Sequence, residues 1–332
     1  MRKQLFLAIS ILEISIGLSG QTQLSKHFTI QKLADGVYAA IASNGGYAIC
    51  NAGIIDLGDA TLIFDPFMSP EPAQELKKIA LKLTGHPVKY VVNSHFHNDH
   101  IGGDQVFDKV DIISTVRTRE LIAKFQPQEI ESDKKDSPKE LKALKSKNLK
   151  GMNPHELDEQ IMWIGYYEAL VRVNDTLKVV LPGISFIKEM IISGSKRSAR
   201  LLTYGEGHTE SDAFLFLPND KIAFLGDLLF VQNQPWLGDG DPVKWASYLD
   251  SIASLKPEKL VPGHGPVGNI SNLDSMKIYF EVVKNAAIAC KQRGILPSND
   301  STLKCPSPYN GWFLSSFYIE NVKSEYDRMY KK

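Results

Sequence analysis

Cysteine is scarce in this chain. Cys50, Cys290 and Cys305 are its only three in 332 residues, too few and too scattered for a disulfide framework or a cysteine-built zinc site. At most one bridge can form, with Cys290 and Cys305 as the candidate pair; the alternative is three inert thiols. A surplus of charge is equally absent. Thirty-eight basic residues balance 38 acidic ones, which leaves no global electrostatic basis for binding nucleic acid or an anionic membrane. The partner expected is a small molecule recognised locally, and the oligomeric state stays open. No internal repeat is visible, and beyond the first 20 residues no apolar run is long enough to span a bilayer. What the chain does have is 43% apolar side chains, enough for a full-sized core and incompatible with a disordered tail.

Met1-Arg2-Lys3, a mainly apolar stretch from Leu5 to Leu18 interrupted by Glu13, and the small pair Ser19-Gly20 read as a secretory signal over residues 1–20. This predicts a periplasmic or secreted protein with no membrane anchor after cleavage. Gln21 stands where a lipoprotein signal would require Cys. Residues 21–332 are expected to form a single domain.

Three apolar runs, Val37 to Ala42, Tyr47 to Ile55 and Thr61 to Phe64, are separated by Asn44-Gly45-Gly46 and Gly58-Asp59, the pattern of an antiparallel meander. The Gly-rich turn at 43–46 reads as a hairpin turn, with a mobile flap as the alternative. Helical spacing from Pro70 to Leu83 ends at Gly85, and a strand over Val88 to Val92 follows. Residues 118–175 read as a helical insertion. Its charged part is a solvated face, and its aromatic part, with Trp163, Tyr166 and Tyr167, reads as core packing rather than a lid. A second strand-rich block covers Leu201 to Tyr204, Phe214 to Leu217 and Ile222 to Leu225. After it come a helix from Val243 to Leu255, a short strand at Leu260-Val261, and C-terminal helices over Ser275 to Cys290 and Trp312 to Tyr330. Leu237 to Pro242 reads as a turn bordering the cleft with Trp236, since it lacks the ligand spacing of a calcium loop.

The chemistry concentrates where the strand at Val88 to Val92 ends. His95, His97, Asp99 and His100 form an H-x-H-x-D-H array. Imidazoles at i and i+2 of an extended segment point to one side and suit one tetrahedral zinc, while Asp99 and His100 lie where the chain turns and can face a second ion. Three clustered histidines with no metal would repel one another if charged and would each need a buried partner if neutral.

This array, followed in order by Gly207-His208-Thr209, Gly226-Asp227-Leu228-Leu229-Phe230 and Gly263-His264-Gly265, resembles the metallo-β-lactamase superfamily over nearly all of the chain after residue 20. The resemblance implies an α/β fold, a four-layer αββα sandwich with metals at one edge between the sheets. It implies two Zn2+ per chain: His95, His97 and His208 on the first, Asp99, His100 and His264 on the second, and Asp227 bridging both. Asp65 resembles the family's first motif, which supports the ligands. The activity implied is a binuclear zinc hydrolase in which Asp99 and Asp227 act catalytically on an ester, lactone, thioester or β-lactam amide. Asp227 stands where many β-lactamases of the family carry Cys or Ser, and Phe230 stands where one subclass carries Lys. The Gly226 to Phe230 stretch is more similar to glyoxalase II-type thioesterases and lactonases, but glyoxalase II is typically intracellular with a basic C-terminal glutathione site. The alternative function is a mononuclear iron oxidoreductase resembling persulfide dioxygenases. His97 argues against a flavodiiron centre, which has Glu there.

Overall fold

A computed structural model describes residues 21, 22 and 24–330; the signal-like segment lies outside them. Two sheets face each other. The first has eight strands in sequence order: β1 (Gln21–Thr22), β2 (Phe28–Ala34), β3 (Val37–Ala42), β4 (Ala52–Asp56), β5 (Thr61–Phe64), β6 (Val88–Val92), β7 (Asp111–Thr115) and β8 (Ile184–Phe186). Pairing is antiparallel from β1 to β5 and parallel from β5 to β8. The second sheet is ordered β13-β12-β11-β10-β9, from β9 (Glu189–Ser193), β10 (Ser198–Gly205), β11 (Asp212–Leu217), β12 (Ile222–Phe224) and β13 (Lys259–Val261).

Period-two alternation separates the layers. In β11, Ala213, Leu215 and Leu217 point between the sheets to meet Val37, Leu62 and Phe64, whereas Phe214 and Phe216 point outward. Helix α1 (Pro70–Thr84) covers the outer face of the first sheet through Ala73, Leu76 and Ala80. A tetrapeptide helix, α2 (Asn98–Ile101), carries the end of the histidine array, and α3 (Val116–Ser146) and α4 (Pro154–Val173) form the helical excursion. Helices α5 (Pro242–Ser254), α6 (Ile270–Gln292) and α7 (Phe317–Tyr330) cover the second sheet, with Trp245, Tyr279 and Val322 in that layer's core. This is the αββα sandwich that the resemblance implied. All three cysteines are free thiols, so the candidate Cys290–Cys305 bridge is not formed.

Several boundaries differ from expectation for physical reasons. The Tyr47 to Ile55 run becomes strand only at Ala52, because the Asn51 backbone N–H donates to Gly263 O and its side-chain amide to Pro262 O and Gly265 O. That backbone is spent on holding another loop. The turn at 43–46 is the turn expected, closed by the Gly46 N–H donating to Ser43 O at 2.9 Å in the loop that joins antiparallel β3 and β4, and its Gly45 packs directly on Gly165 of α4, where any side chain would collide. The last helix begins at Phe317 rather than Trp312, since Leu314 has φ 61° and Phe313 bridges to Asn233. Strands β2, β7, β8 and β9 lie in stretches from which no strand was expected.

Candidate metal centre

Four loops that leave strand ends converge between the sheets: β6 delivers His95 to His100, β10 delivers His208, β12 delivers Asp227 and β13 delivers His264. Donor atoms of His95, His97, His208 and Asp227 form one group and those of Asp99, His100 and His264 a second, with all atoms of each group within 4.8 Å of one another. Every ligand candidate named from the sequence is therefore brought to one place. Asp227 faces both groups with different oxygens. Its Oδ2 lies 3.3 Å from His208 Nε2 and 3.9 Å from His95 Nε2, and its Oδ1 lies 3.0 Å from His100 Nε2 and 3.4 Å from His264 Nε2. Asp99 Oδ2 is 3.3 Å from His100 Nε2 and 3.2 Å from His264 Nε2. Gly263 permits this closeness, because a Cβ there would stand 1.9 Å from Asp227 Oδ1.

The outward side of each imidazole sets which nitrogen faces inward. Ser94 gives its one hydroxyl hydrogen to Asp65 Oδ2 at 2.7 Å, so His95 Nδ1–H donates to Ser94 Oγ at 2.9 Å and leaves Nε2 bare. His100 Nδ1–H donates to the same Asp65 oxygen at 2.8 Å. Backbone carbonyls accept from the next two: Trp236 O from His208 Nδ1 and Ile49 O from His264 Nδ1, both at 3.1 Å. His97 is reversed. Its Nε2–H donates to Asp239 Oδ2 at 3.2 Å, and its Nδ1 faces His208 Nε2 at 3.1 Å. Asp65 thus anchors one histidine of each group, directly or through Ser94, from a fully buried position at φ 51°, a backbone conformation that persists only where its surroundings enforce it.

The cluster carries the mark of a site built for cations. His95 Nε2, His100 Nε2 and Asp227 Oδ1 are buried with no hydrogen-bond partner, a cost that a bound ion removes. Burial holds His95 well below its usual pKa and lowers His208 to about 3, so these two rings of the first group are neutral, whereas burial opposes charge on His97 but Asp239 outweighs it and raises that ring. Burial opposes charge on His264 as well, but Asp227 and Asp99 outweigh it and raise that ring to about 9. Burial also acts to raise Asp227, yet His100 and His264 hold it well below the ordinary carboxylate range. Neutral imidazole and carboxylate donors in sets of four and three fit divalent ions of the zinc type.

A cavity of about 150 Å³ opens on the cluster, walled by Ile49, Trp163, Tyr166, Phe230, Trp236, Leu314 and Phe317. Trp163 and Tyr166 therefore do more than pack in the core, as expected of them; they also face the cavity. Trp236 borders the cleft as its position suggested, and its Nε1–H donates to Asp239 Oδ2 at 2.8 Å. The turn's second aspartate, Asp241, caps α5 by accepting from Val243 N and Lys244 N. Asp239 was missed as a partner of the array, since only the tertiary fold brings it to His97. Glu129, also missed, lines a groove beside His97, and burial raises its carboxyl to about 7.

The comparisons agree with this geometry. The family model described as "Metallo-beta-lactamase superfamily" matches residues 45–264. A curated relative, the beta-lactamase-like protein 2 homolog of Caenorhabditis elegans, is 24% identical over 250 residues, covering 72% of this chain and 64% of the relative. The chain thus matches just under two thirds of that relative's length. Among solved structures, a metallo-beta-lactamase from Pontibacter korlensis superposes with a TM-score of 0.54 at 19% identity, covering 75% of this chain and 96% of that one. The DIM-1 metallo-beta-lactamase gives 0.54 at 16% identity, covering 76% and 95%. At such identities the solved structures bear on the fold alone, and the family match covers two thirds of the chain. The chain belongs to the metallo-beta-lactamase superfamily, and its histidines and aspartates converge where the fold closes on a cleft.

Proposed function

We propose that this protein is a binuclear zinc hydrolase that cleaves a carbonyl-centred bond, in an ester, lactone, thioester or β-lactam amide, outside the cytoplasm. The observation that carries the reading is Asp227, whose two oxygens each face a separate group of buried imidazole nitrogens. His95, His97 and His208 would hold one ion, Asp99, His100 and His264 the other, with Asp227 shared. Bound divalent ions supply Lewis acidity and bring the pKa of water from about 15.7 towards about 7. The chain supplies placement. Asp65, Ser94, Asp239 and two backbone carbonyls lock the five rings, so no reorganisation is needed during reaction. Asp99 lines the cavity, which makes its carboxylate the group placed to pass a proton to the leaving atom. Overall, water gives its oxygen to the carbonyl carbon and a proton to the leaving group.

The test is metal content followed by a hydrolysis panel on the chain without residues 1–20. Two zinc ions per chain and turnover of at least one ester, lactone, thioester or β-lactam are expected. Protein purified with a single iron that consumes oxygen would overturn the proposal.

A further inference from the structure

The cavity beside the metal cluster has a composition that narrows the substrate. Six of its walls, Ile49, Trp163, Tyr166, Trp236, Leu314 and Phe317, are apolar or aromatic, and among the described residues no Lys or Arg lines it. Its charged groups are the cluster's own, Asp99 and Asp227 beside the histidines. Phe230 adds no polarity, because its ring is stacked on His264 at 5.1 Å and 13°. The walls come from distant parts of the chain yet are fixed together. Phe317 meets Trp236 at 5.4 Å and Trp163 at 6.4 Å between centroids, and Ser315 donates from its N–H and Oγ–H to the Glu159 carboxylate of α4 at 2.7 and 2.6 Å. Two donors on α4, the Tyr166 hydroxyl and the Trp163 indole N–H, have no hydrogen-bond partner among the described residues and belong to side chains that line the cavity.

We propose that this pocket selects an uncharged acyl group of about phenyl size, a small aryl or short alkyl ester or lactone, and discriminates against acyl groups that carry a carboxylate. Volume sets the size: the cavity measures about 150 Å³, and an apolar cavity of about 150 Å³ holds a single benzene ring. Charge sets the class, since a substrate carboxylate would be desolvated against aromatic walls with no Lys or Arg to pair it, and the His264 ring is already paired with Asp99 and Asp227. Tyr166 and Trp163 supply hydrogen bonds to a polar edge of the bound group, and an aromatic or alkyl body fills the rest. The turnover part of the proposal rests on the hydrolase reading, but the binding part does not.

The experiment uses the chain without residues 1–20 in two states. In metal-free protein, tryptophan fluorescence is titrated with cyclohexanecarboxamide and with cyclohexanecarboxylate. The carboxamide is expected to saturate, with the carboxylate roughly tenfold weaker or more. Trp163→Ala and Phe317→Ala, each checked for an unchanged circular dichroism spectrum, are expected to weaken carboxamide binding by about the same factor. Leu314→Lys leaves the aromatic walls in place and is expected to reverse the preference towards the carboxylate. In zinc-loaded protein, 4-nitrophenyl butyrate is expected to exceed 4-nitrophenyl hydrogen succinate roughly tenfold in kcat/KM. Equal affinity for the two probes, equal turnover of the two esters, or unchanged binding in both alanine variants overturns the pocket assignment. Selective carboxamide binding with neither ester hydrolysed would leave the assignment standing and count against the hydrolase reading.

Discussion

At the scale of single residues, the metal centre depends as much on what stands behind the ligands as on the ligands. Asp65 anchors His100 directly and His95 through Ser94, and Asp239 alone sets the reversed orientation of His97. Removing such outer partners costs metal affinity by about 10- to 100-fold in comparable sites. Asp239→Ala is expected to lose zinc within that range, read by competition with a chromophoric chelator, while circular dichroism stays unchanged. An affinity equal to wild type would show that His97 needs no anchor. A buried carboxyl away from the cluster gives a separate pH prediction. Burial pushes Asp104 well above its ordinary pKa, with only an Asn93 hydrogen bond opposing, and its Oδ2 has no partner. Between the ordinary carboxylate range and that raised value, the folded state keeps a proton that the unfolded chain has released, so this residue lowers stability as pH rises through the window. Asp104→Asn should flatten the dependence of Tm on pH and raise Tm at pH values above the window. Thermal melts across that range measure it, and a slope identical to wild type would refute it. Four of the seven candidate ligands were legible because they lie within six positions of one another, and the other three through the resemblance of their motifs, whereas Asp239 is 142 positions from His97 and has no local signal.

At the scale of elements, α4 links stability to the pocket. It starts with a reciprocal capping box: Asn153 Oδ1 accepts from Glu156 N at 3.0 Å, and Glu156 Oε2 accepts from Asn153 N at 2.9 Å. Two orphan donors of the first turn are satisfied in this way. Asn153→Ala is expected to cost about 1 kcal/mol of stability and to raise KM more than it lowers kcat, because the helix carries Trp163 and Tyr166 but no metal ligand. Denaturant melts and steady-state kinetics together decide it, and a fall in kcat at unchanged KM would contradict the assignment. Elements with strong periodicity were legible from the chain: α1 was anticipated to within one residue, and β6 in full. Strand β2 was not, because its Phe-Thr-Ile-Gln-Lys-Leu-Ala run is half polar and its strand character comes from pairing with β3. The same holds for β9, an edge strand with Ile191 exposed to solvent.

At the scale of the whole molecule, the candidate ligands divide between the sheets. The array follows β6 of the first sheet, whereas His208, Asp227 and His264 follow β10, β12 and β13 of the second. A metal bound there ties the two sheets together and stabilises the folded state by mass action, by about 2.7 kcal/mol when free metal is about 100 times Kd. Chelation is therefore expected to lower Tm cooperatively, without a separate transition for either sheet. Calorimetry with and without a chelator tests this, and an unchanged Tm would mean that no ion is held in the fold. The buried faces of many elements were written in the chain as apolar periodicity, and the His95 to His100 array as a dense cluster of imidazole and carboxylate, while the order of layers and the remaining ligand candidates were legible through the resemblance of their motifs to a known family. Which oxygen of Asp227 faces which group, which nitrogen of His97 turns inward and which aromatics wall the cavity were decided only by tertiary structure. Those features depend on packing between distant segments, such as Glu159 with Ser315, 156 residues apart, and Ile49 with His264, 215 apart, and no local pattern encodes a contact across that distance.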